Sequence, residues 1–318
     1  MLPKDCHNRK LSGCSLRSQS GAALITVMLV ISIIAIIVLA MTESQQLDIR
    51  RTLNIFDSDQ AYWMTKGVED WAICLLLKDQ ENSTTDNLGE EWAAGLPETT
   101  FMVSGSLSGE ITDLQGRFNL NNLVSANSDL QGQSRIQFEK LLNYCGIAPE
   151  FAEAVIDWQD ADDEGVAEDW AYDTLSPPYR TANQPMMSPT ELLQIKGIDL
   201  KGYDCLAPLV ATLPSGTGIN INTAPVAILS SLSDVMTTEQ ADSLITARPQ
   251  NGYEDIGEFL ASPEFAGSGL VGNYLMLKSN FFMVESRASM GKGRCVLYSI
   301  LQRRDKEVKV LRRTIGTY

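Results

Sequence analysis

The residues best suited to chemistry form an acidic run in the middle of the chain. The run contains Asp157, Asp160, Asp162, Asp163, Glu164, Glu168, Asp169 and Asp173. No Lys or Arg lies between Lys140 and Arg180 to balance these charges. Carboxylates at this density repel one another unless solvent or a cation neutralises them. Because calcium takes about six to eight oxygen ligands in a flexible geometry, the run is a candidate calcium loop.

The spacing of the acids limits which kinds of metal site or active site the run could form. Asp160, Asp162, Glu164 and Gly165 match the first half of an EF-hand loop, but the twelfth position is Ala171 instead of a bidentate Glu. From the residues alone, a solvated acidic loop is the alternative. Zinc is disfavoured because the run lacks His and paired Cys. A paired-carboxylate hydrolase is disfavoured because the acids crowd one loop without a substrate cleft.

Composition excludes further classes of protein. The net charge of the chain is −15, and the first 21 residues carry +3, so the remainder carries −18. Such a charge argues against nucleic-acid binding, which relies on Lys and Arg to neutralise phosphates. The single histidine, His7, lies among those first residues. The rest of the chain therefore lacks Ser-His-Asp, Cys-His and His-metal chemistry, and we predict that it is not an enzyme.

A long apolar stretch must hold the acidic region in place. No charged residue lies between Arg17 and Glu43, and Ala22–Met41 provides about 20 residues. As a helix these span about 30 Å, the thickness of one hydrocarbon core. The preceding residues are basic and the following ones acidic. The positive-inside rule therefore predicts a single-pass protein with a cytoplasmic N-terminus and the large remainder across the membrane.

The junction before this stretch resembles that of the type IV prepilin class. A basic leader ends in Gly21 and is followed at once by the apolar run. The resemblance implies cleavage between Gly21 and Ala22, N-methylation of the new terminus, and retention of the helix as an anchor. Major pilins carry Glu at the fifth mature position, where this chain has Thr26. An ordinary signal sequence cleaved after Ala40 is the alternative.

The cysteines permit several pairings. Cys6 and Cys14 lie in the leader, which leaves Cys74, Cys145, Cys205 and Cys295. Four cysteines allow three complete pairings, and the sequence does not select one. We favour Cys145 with Cys205 because both lie in the acidic middle region. Cys74, within WAICLLL, is predicted to be a small buried thiol.

The hydrophobic patterns predict an α+β fold. Thr42 to Lys78 reads as an amphipathic stem that continues the membrane helix. Residues 99–123 alternate like two short strands, and residues 274–290, 294–304 and 307–315 read as three more. Between them lie short helical patterns, one of which has Ser188 as N-cap, Glu191 three residues on, and a stop at Gly197. We expect an antiparallel sheet made from both ends of the chain, packed on the stem, with an all-α domain inserted in the sheet.

Several motifs together resemble one family. DWQDADDEG, AEDWAY, PPYRTANQPMMSPTELLQIKGI and GININTAP are similar to the general secretion pathway protein K (GspK) family, the large minor pseudopilins of type II secretion. The resemblance implies a pilin-like fold with a helical domain inserted in its sheet, and calcium in that domain. The candidate calcium ligands carried over are Asp160, Asp162, Asp163, Glu164, Glu168 and Asp169.

The same resemblance implies a function. GspK proteins form a tip complex with the I and J minor pseudopilins in the inner membrane and periplasm. That tip would nucleate a short pseudopilus whose growth pushes folded exoproteins through the outer-membrane channel. The corresponding domains are a leader at 1–21, a transmembrane helix at 22–41, a stem with the first strands at 42–124, an inserted helical domain at 125–273 and C-terminal strands at 274–318.

A second resemblance supports a different class of function. Residues 218–260 are similar to helix-hairpin-helix repeats, which bind DNA backbones, so a membrane-anchored DNA-binding protein is the alternative. The hairpin position reads Ser233 to Met236 and lacks the glycines that let backbone approach phosphate. We therefore expect no nucleic-acid partner, and we expect a packing core of Ile219, Ile221, Val226, Ile228 and Leu229.

The C-terminal strands are basic. The residues concerned are Arg303, Arg304, Lys306, Lys309, Arg312 and Arg313. Alternating basic residues on a strand are typical of a solvated or edge face. A docking surface for acidic partners is the alternative, and it predicts that charge reversal at Arg312 and Arg313 weakens partner binding.

Overall fold

The chain begins with one long helix, α1, Ser20–Asn82. The computed structural model describes residues 20–101, 105–233, 236–265 and 274–316, so most of the predicted leader lies outside the described residues. The apolar half of α1 is long and apolar enough to cross a membrane, with a mean hydropathy of 3.2 over its best window. The helix continues beyond that half, as predicted, and ends at Asn82, four residues after the predicted end of the stem at Lys78.

The chain divides into two compact units, residues 1–55 and 56–318. The second unit contains the C-terminal part of α1, a five-stranded antiparallel sheet and a set of short helices. The strands within the described residues are β1 (Leu96–Phe101), β2 (Gly105–Asp113), β3 (Phe118–Asn119), β4 (Val210–Ala211), β5 (Ile219–Asn220), β6 (Leu275–Met276), β7 (Phe281–Met290), β8 (Gly293–Arg304) and β9 (Glu307–Ile315).

Both ends of this part of the chain contribute to the five-stranded sheet, whose order is β1-β2-β7-β8-β9. This confirms the predicted sheet, with two differences. The strand pattern predicted over residues 99–123 ends its part in this sheet at Asp113, and Leu114–Gly116 and Leu120–Val124 form 3₁₀-helices. The predicted strand over residues 274–290 begins at Phe281, because Leu275 and Met276 pair in parallel with Ile219 and Asn220 instead. Such two-residue pairs leave no alternating pattern in the sequence, so the strand pattern could not separate them.

One face of α1 packs on the sheet. The core between them consists of Val68, Ala72, Leu75, Leu76, Trp92, Ile111, Phe282, Val284 and Leu301. The helical residues of this set recur every three or four positions and therefore share one face. Burial of each large apolar side chain contributes about 1.5–3 kcal/mol. Cys74 lies outside this face and is exposed, so the prediction of a buried thiol there is wrong.

A second core holds the helices that lie between β2 and β7 in sequence. α2 (Glu91–Ala94) precedes β1 and contributes Trp92 to the first core. The described helices between β2 and β7 are α3 (Ser128–Tyr144), α4 (Phe151–Gln159), α5 (Asp169–Tyr172), α6 (Leu200–Leu206), α7 (Val226–Ser231), α8 (Thr238–Ala247) and α9 (Ile256–Leu260). Cys145, at the end of α3, is bonded to Cys205 in α6 with a Cα–Cα distance of 5.7 Å, which confirms the favoured pairing.

The predicted capping signals appear in the structure. Ser188 and Glu191 form a reciprocal capping box, although the segment they start, Pro189–Gln194, is a 3₁₀-helix. Four of the five predicted core residues around α7 are buried, and Val226 is half-buried.

Two similar asparagine motifs organise the helical region. Residues 118–122 read FNLNN and residues 219–223 read ININT. The side chain of Asn121 accepts from the Met186 N–H and donates to the Leu213 carbonyl. Asn222 likewise accepts from the N–H of Tyr253 and donates to its carbonyl. In both motifs a buried side-chain amide thus makes the two hydrogen bonds that a backbone peptide group would otherwise make. It thereby connects a distant loop to a short pair of parallel strands.

Candidate functional site

The acidic run folds back on the end of α4. Asp157, in the last turn of that helix, is buried, and its Oδ2 accepts from the N–H groups of Val166 and Ala167, both at 2.7 Å. Gly165 lies against this carboxylate, where a Cβ atom would overlap it. Only glycine therefore lets the loop close over Asp157, and this closure brings residue 168 back towards residue 160.

The closed loop brings three carboxylates together. Asp160, Asp162 and Glu168 each place an oxygen within 4.8 Å of the others. Glu168 is 2% exposed, and neither of its carboxylate oxygens has a hydrogen-bond partner in the structure. Oδ1 of Asp160 is also buried without a partner. An orphaned buried carboxylate is costly, because nothing replaces its lost hydration.

The electrostatics of this trio are those of crowded like charges. Burial, followed by repulsion from Asp157 and Asp160, raises the pKa of Glu168 to about 7. Burial and the neighbouring Asp162 raise the pKa of Asp160 to about 6. Arg180, the next basic residue in sequence, forms an ion pair with Asp169 at 3.5 Å. The trio therefore gains stability from any cation that enters it.

The six predicted ligands divide into two groups. Asp160, Asp162 and Glu168 converge, whereas Asp163 and Glu164 are exposed. Asp169 is turned aside, since its Oδ1 accepts from the N–H and the hydroxyl of Thr181 at 3.0 and 2.9 Å. Sequence reasoning placed Asp157 in the acidic run but missed its role as the anchor of the loop. The only sequence signal for that role is the glycine at position 165.

A second carboxylate cluster shows what the trio lacks. Asp79, Asp86 and Glu90 also converge, but the guanidinium of Arg303 lies among them. Its nitrogens are 2.8 Å from Asp79 and 2.5 Å from Asp86. Arg303 thus supplies an internal cation there, while the neighbours that act on Glu168 are further acids, including Asp157 and Asp163.

The donor set of the trio fits a hard cation. All three side chains offer oxygen, which is the ligand type of calcium, and the remaining ligands would come from water or backbone carbonyls. The trio contains no His or Cys, so the set does not suit zinc.

The structure corrects the prediction for the basic strands. Arg303 is fully buried, so the prediction that it lies on a solvated face is wrong. Arg313 binds the buried Glu69 of α1 through two nitrogens, at 2.8 and 2.9 Å. Burial raises the pKa of Glu69, but hydrogen bonds from Arg313, Lys66 and Ser299 outweigh burial and lower it to about 2. Charge reversal at Arg313 would therefore leave the buried Glu69 carboxylate without one of its cations, so a loss of binding by that variant would not by itself show docking.

The outer face of α1 carries two exposed aromatic residues in the second unit. Phe56 is 61% exposed and Trp63 is 69% exposed, and they are seven residues apart on one helix face. Gly67, one turn further, has open space where a Cβ would lie. We call Phe56, Trp63 and Gly67 the stem surface. Large exposed aromatic residues beside a small residue are typical of a helix-docking site.

Comparisons with known proteins give a consistent result. Residues 116–215 and residues 219–275 match two family models, both described as type II secretion system protein K. A protein of that name from Pseudomonas aeruginosa is 34% identical over 317 residues, which covers 94% of each chain. One from Aeromonas hydrophila is also 34% identical and covers 95% of this chain and 98% of its own.

A solved structure is similar to most of the chain. It is a chain of the GspK-GspI-GspJ complex of the type 2 secretion system of enterotoxigenic Escherichia coli. The TM-score is 0.75 at 27% identity, covering 84% of this chain and 100% of that one. The DNA-binding alternative finds no support, because the region that suggested it lies within the second matched family model.

Proposed function

This chain belongs to the type II secretion system protein K family, and we propose that it is the minor pseudopilin that caps the tip of a periplasmic pseudopilus. The observation that carries the proposal is the stem surface, an exposed aromatic helix face on an anchored subunit. The related complex contains GspI and GspJ. We infer that the I and J minor pseudopilins of the same system are the partners that cover Phe56 and Trp63.

The membrane half of α1 supports a terminal position. Thr26 occupies the position where major pilins carry a buried Glu, and its hydroxyl donates to the Ala23 carbonyl at 2.9 Å. Its polar group is therefore satisfied inside its own helix and needs no neighbouring subunit. The pilin-like arrangement of helix and sheet would supply the docking helix. The helical region between β2 and β7 would be too bulky to be followed by another subunit.

The role we propose is mechanical. With I and J, the subunit would initiate the pseudopilus, and growth of the filament behind it would push folded exoproteins through the outer-membrane channel. The chain would be held in the inner membrane by residues 22–41, with its N-terminus cytoplasmic and its main part periplasmic. The Cys145–Cys205 disulfide supports that orientation, since disulfides persist in oxidising compartments. A prepilin peptidase would cut between Gly21 and Ala22.

Calcium is the second part of the proposal. Asp160, Asp162 and Glu168 would hold the ion, and Asp163, Glu164 and Asp169 are the remaining candidates from the sequence. The bound ion would neutralise the trio and fix the loop over Asp157. Its support is the orphaned, buried carboxylate of Glu168. Calcium titration of the purified chain followed by thermal melting tests this part.

Co-purification of the full-length chain with the I and J pseudopilins tests the tip assembly. We expect the double substitution Phe56→Ser and Trp63→Ser to weaken binding at least about thirtyfold, which corresponds to the loss of about 2 kcal/mol typical of an interface hot spot. Both side chains are exposed, so the fold should survive the change.

Asn54→Ala is the matched control. Asn54 is also exposed but is rotated about 200° from Phe56 on the helix. The control should bind I and J as the unchanged chain does. Equal binding by the double variant would remove the stem surface from the proposal.

A further inference from the structure

A junction of ionisable groups lies where α1 ends, in a different part of the fold from the acidic loop. Asp79 is in the last turn of α1, Asp86 and Glu90 follow in the next loop, and Arg303 comes from β8. Asp86 and Arg303 are fully buried. Arg303 donates to Oδ2 of Asp79 at 2.8 Å and to both oxygens of Asp86 at 2.5 Å. We call these four residues the α1 junction.

Among the residues that the structure describes, the other elements packed on the junction supply no second cation that binds its carboxylates. From the sheet, Asp113 accepts from the hydroxyls of Thr223 and Ser279 and from the amide of Asn220. From the segment before β7, Lys278 donates to the Ser83 carbonyl at 3.1 Å. The ring of Phe282 lies beneath the Arg303 guanidinium at 4.8 Å.

The charges of the junction do not balance. Three carboxylates surround one guanidinium, so the fully ionised cluster carries two excess negative charges. Asp86 is held by two donors, Arg303 and the Ser279 N–H. Glu90 is held by the N–H groups of Asn87 and Trp92. Asp79 has Arg303 as its side-chain donor and lies at the negative end of the α1 dipole, where a carboxylate is disfavoured. A proton added to the cluster should therefore reside on Asp79.

We propose that the α1 junction is a proton-sensitive latch, in which a proton on Asp79 keeps the end of α1 on the sheet and its loss loosens that end. Burial and the neighbouring Glu90 raise the pKa of Asp79 to about 7, although Arg303 opposes them. A carboxyl with a raised folded-state pKa stabilises the fold at low pH, and that stability is lost as the pH rises through the folded-state value. The latch thus weakens as the pH rises from about 4, the ordinary value of an aspartate, to about 7, and its strength is constant above that pH.

Hydrogen exchange on the full-length chain in detergent tests the latch. Protection factors, corrected for intrinsic exchange, are measured between pH 5.5 and pH 8.5 on peptides that cover residues 76–90. In the unchanged chain we expect protection to fall by about tenfold per pH unit as the pH rises towards 7 and to stay level above it, because only below the folded-state pKa of Asp79 does the closed form hold one proton more than the open form. Asp79→Asn mimics the protonated form and should show no step.

Two further variants keep the test decisive. Glu81→Gln removes an exposed carboxylate from the same helix end and should keep the step of the unchanged chain. Glu90→Gln keeps the hydrogen-bond acceptor but removes a neighbouring charge, so it should move the step to lower pH even if Asp79→Asn does not fold. The same step at the same pH in the Asp79→Asn or the Glu90→Gln chain would overturn the proposal.

Discussion

At the scale of single residues, two buried acids of this chain differ in whether their carboxylates have hydrogen-bond donors. Glu69 is buried under the sheet and receives hydrogen bonds from Arg313, Lys66 and Ser299, so it stays ionised. Glu168 is equally buried, but its oxygens have no partner in the structure. Because the cost of burying a charge falls only when the charge is paired, Glu168 is the residue through which a cation should act.

We predict that Glu168→Gln abolishes stabilisation by calcium. In the unchanged chain, calcium at a hundredfold excess over its dissociation constant should add about 2.7 kcal/mol to the free energy of unfolding. The variant keeps the shape of the side chain but removes one ligand charge and one cause of repulsion. Its melting temperature should therefore be the same in calcium and in chelator. Thermal melts in both conditions measure the difference.

Asp173→Asn is the control for that prediction. Asp173 is exposed in the same acidic run and outside the trio, so its loss should leave the calcium response intact. The double change Asp160→Ala and Asp162→Ala should lower the melting temperature only when calcium is present. Equal melting of the unchanged chain with calcium and with chelator would refute a structural calcium site.

The sequence predicted the acidic loop but not the roles within it. Carboxylate density is visible in the sequence, whereas convergence depends on the closure of the loop over Asp157. That closure requires two backbone N–H groups and the absence of a Cβ at Gly165. For Arg303 the prediction from sequence was wrong. Its basic neighbours suggested a solvated strand, but the residue is buried with Asp79 and Asp86, which are more than 200 positions away in sequence.

At the scale of elements, the β7–β8 turn fixes α1 against the sheet. The turn residue Lys292 donates its N–H to Asp57, and Gly293 packs on the backbone of Asp57 and Ser58. A Cβ at position 293 would overlap that backbone, which has no flexible end that could move aside. The contact is therefore available only to glycine.

We predict that Gly293→Ala destabilises the second unit by about 1–3 kcal/mol, the range of overpacking changes. Either the turn or the helix must shift, and the buried cluster of Ala61, Ala288 and Cys295 lies next to both of them. Chemical unfolding of the full-length chain measures the loss. Gly132→Ala is the control, since Gly132 lies inside α3 with open space at its Cβ position.

The control should be stabilised by about 0.5–1 kcal/mol, because alanine favours the helix over glycine. Similar effects of the two substitutions would mean that the turn does not clamp α1.

The sheet itself was predictable because its strands alternate strongly. The asparagine motifs were not identified as a repeat, since the helices that follow them differ in length and sequence.

At the scale of the whole molecule, the chain combines a long helix whose apolar half could cross a membrane, a sheet that receives part of that helix, and a helical region between two strands of the sheet. The strand patterns predicted how the two ends of the chain meet in one sheet. The membrane orientation, the calcium site and the tip function are proposals, and the tip function depends on the processing of the N-terminus. A subunit that keeps its basic leader could not enter a filament through its apolar helix.

We predict that the mature chain isolated from the membrane fraction begins at Ala22 and carries an N-methyl group. The sequence offers three possible N-termini, and the mass of the N-terminal peptide distinguishes them. A start at Ala22 requires cleavage on the cytoplasmic side, directly before the apolar half of α1, and leaves that helix as the anchor. A start at Met41 would mean that the helix is a removed signal sequence, so the anchored tip subunit would be excluded. An intact Met1 would mean an ordinary signal anchor whose charged leader bars packing among pseudopilin helices.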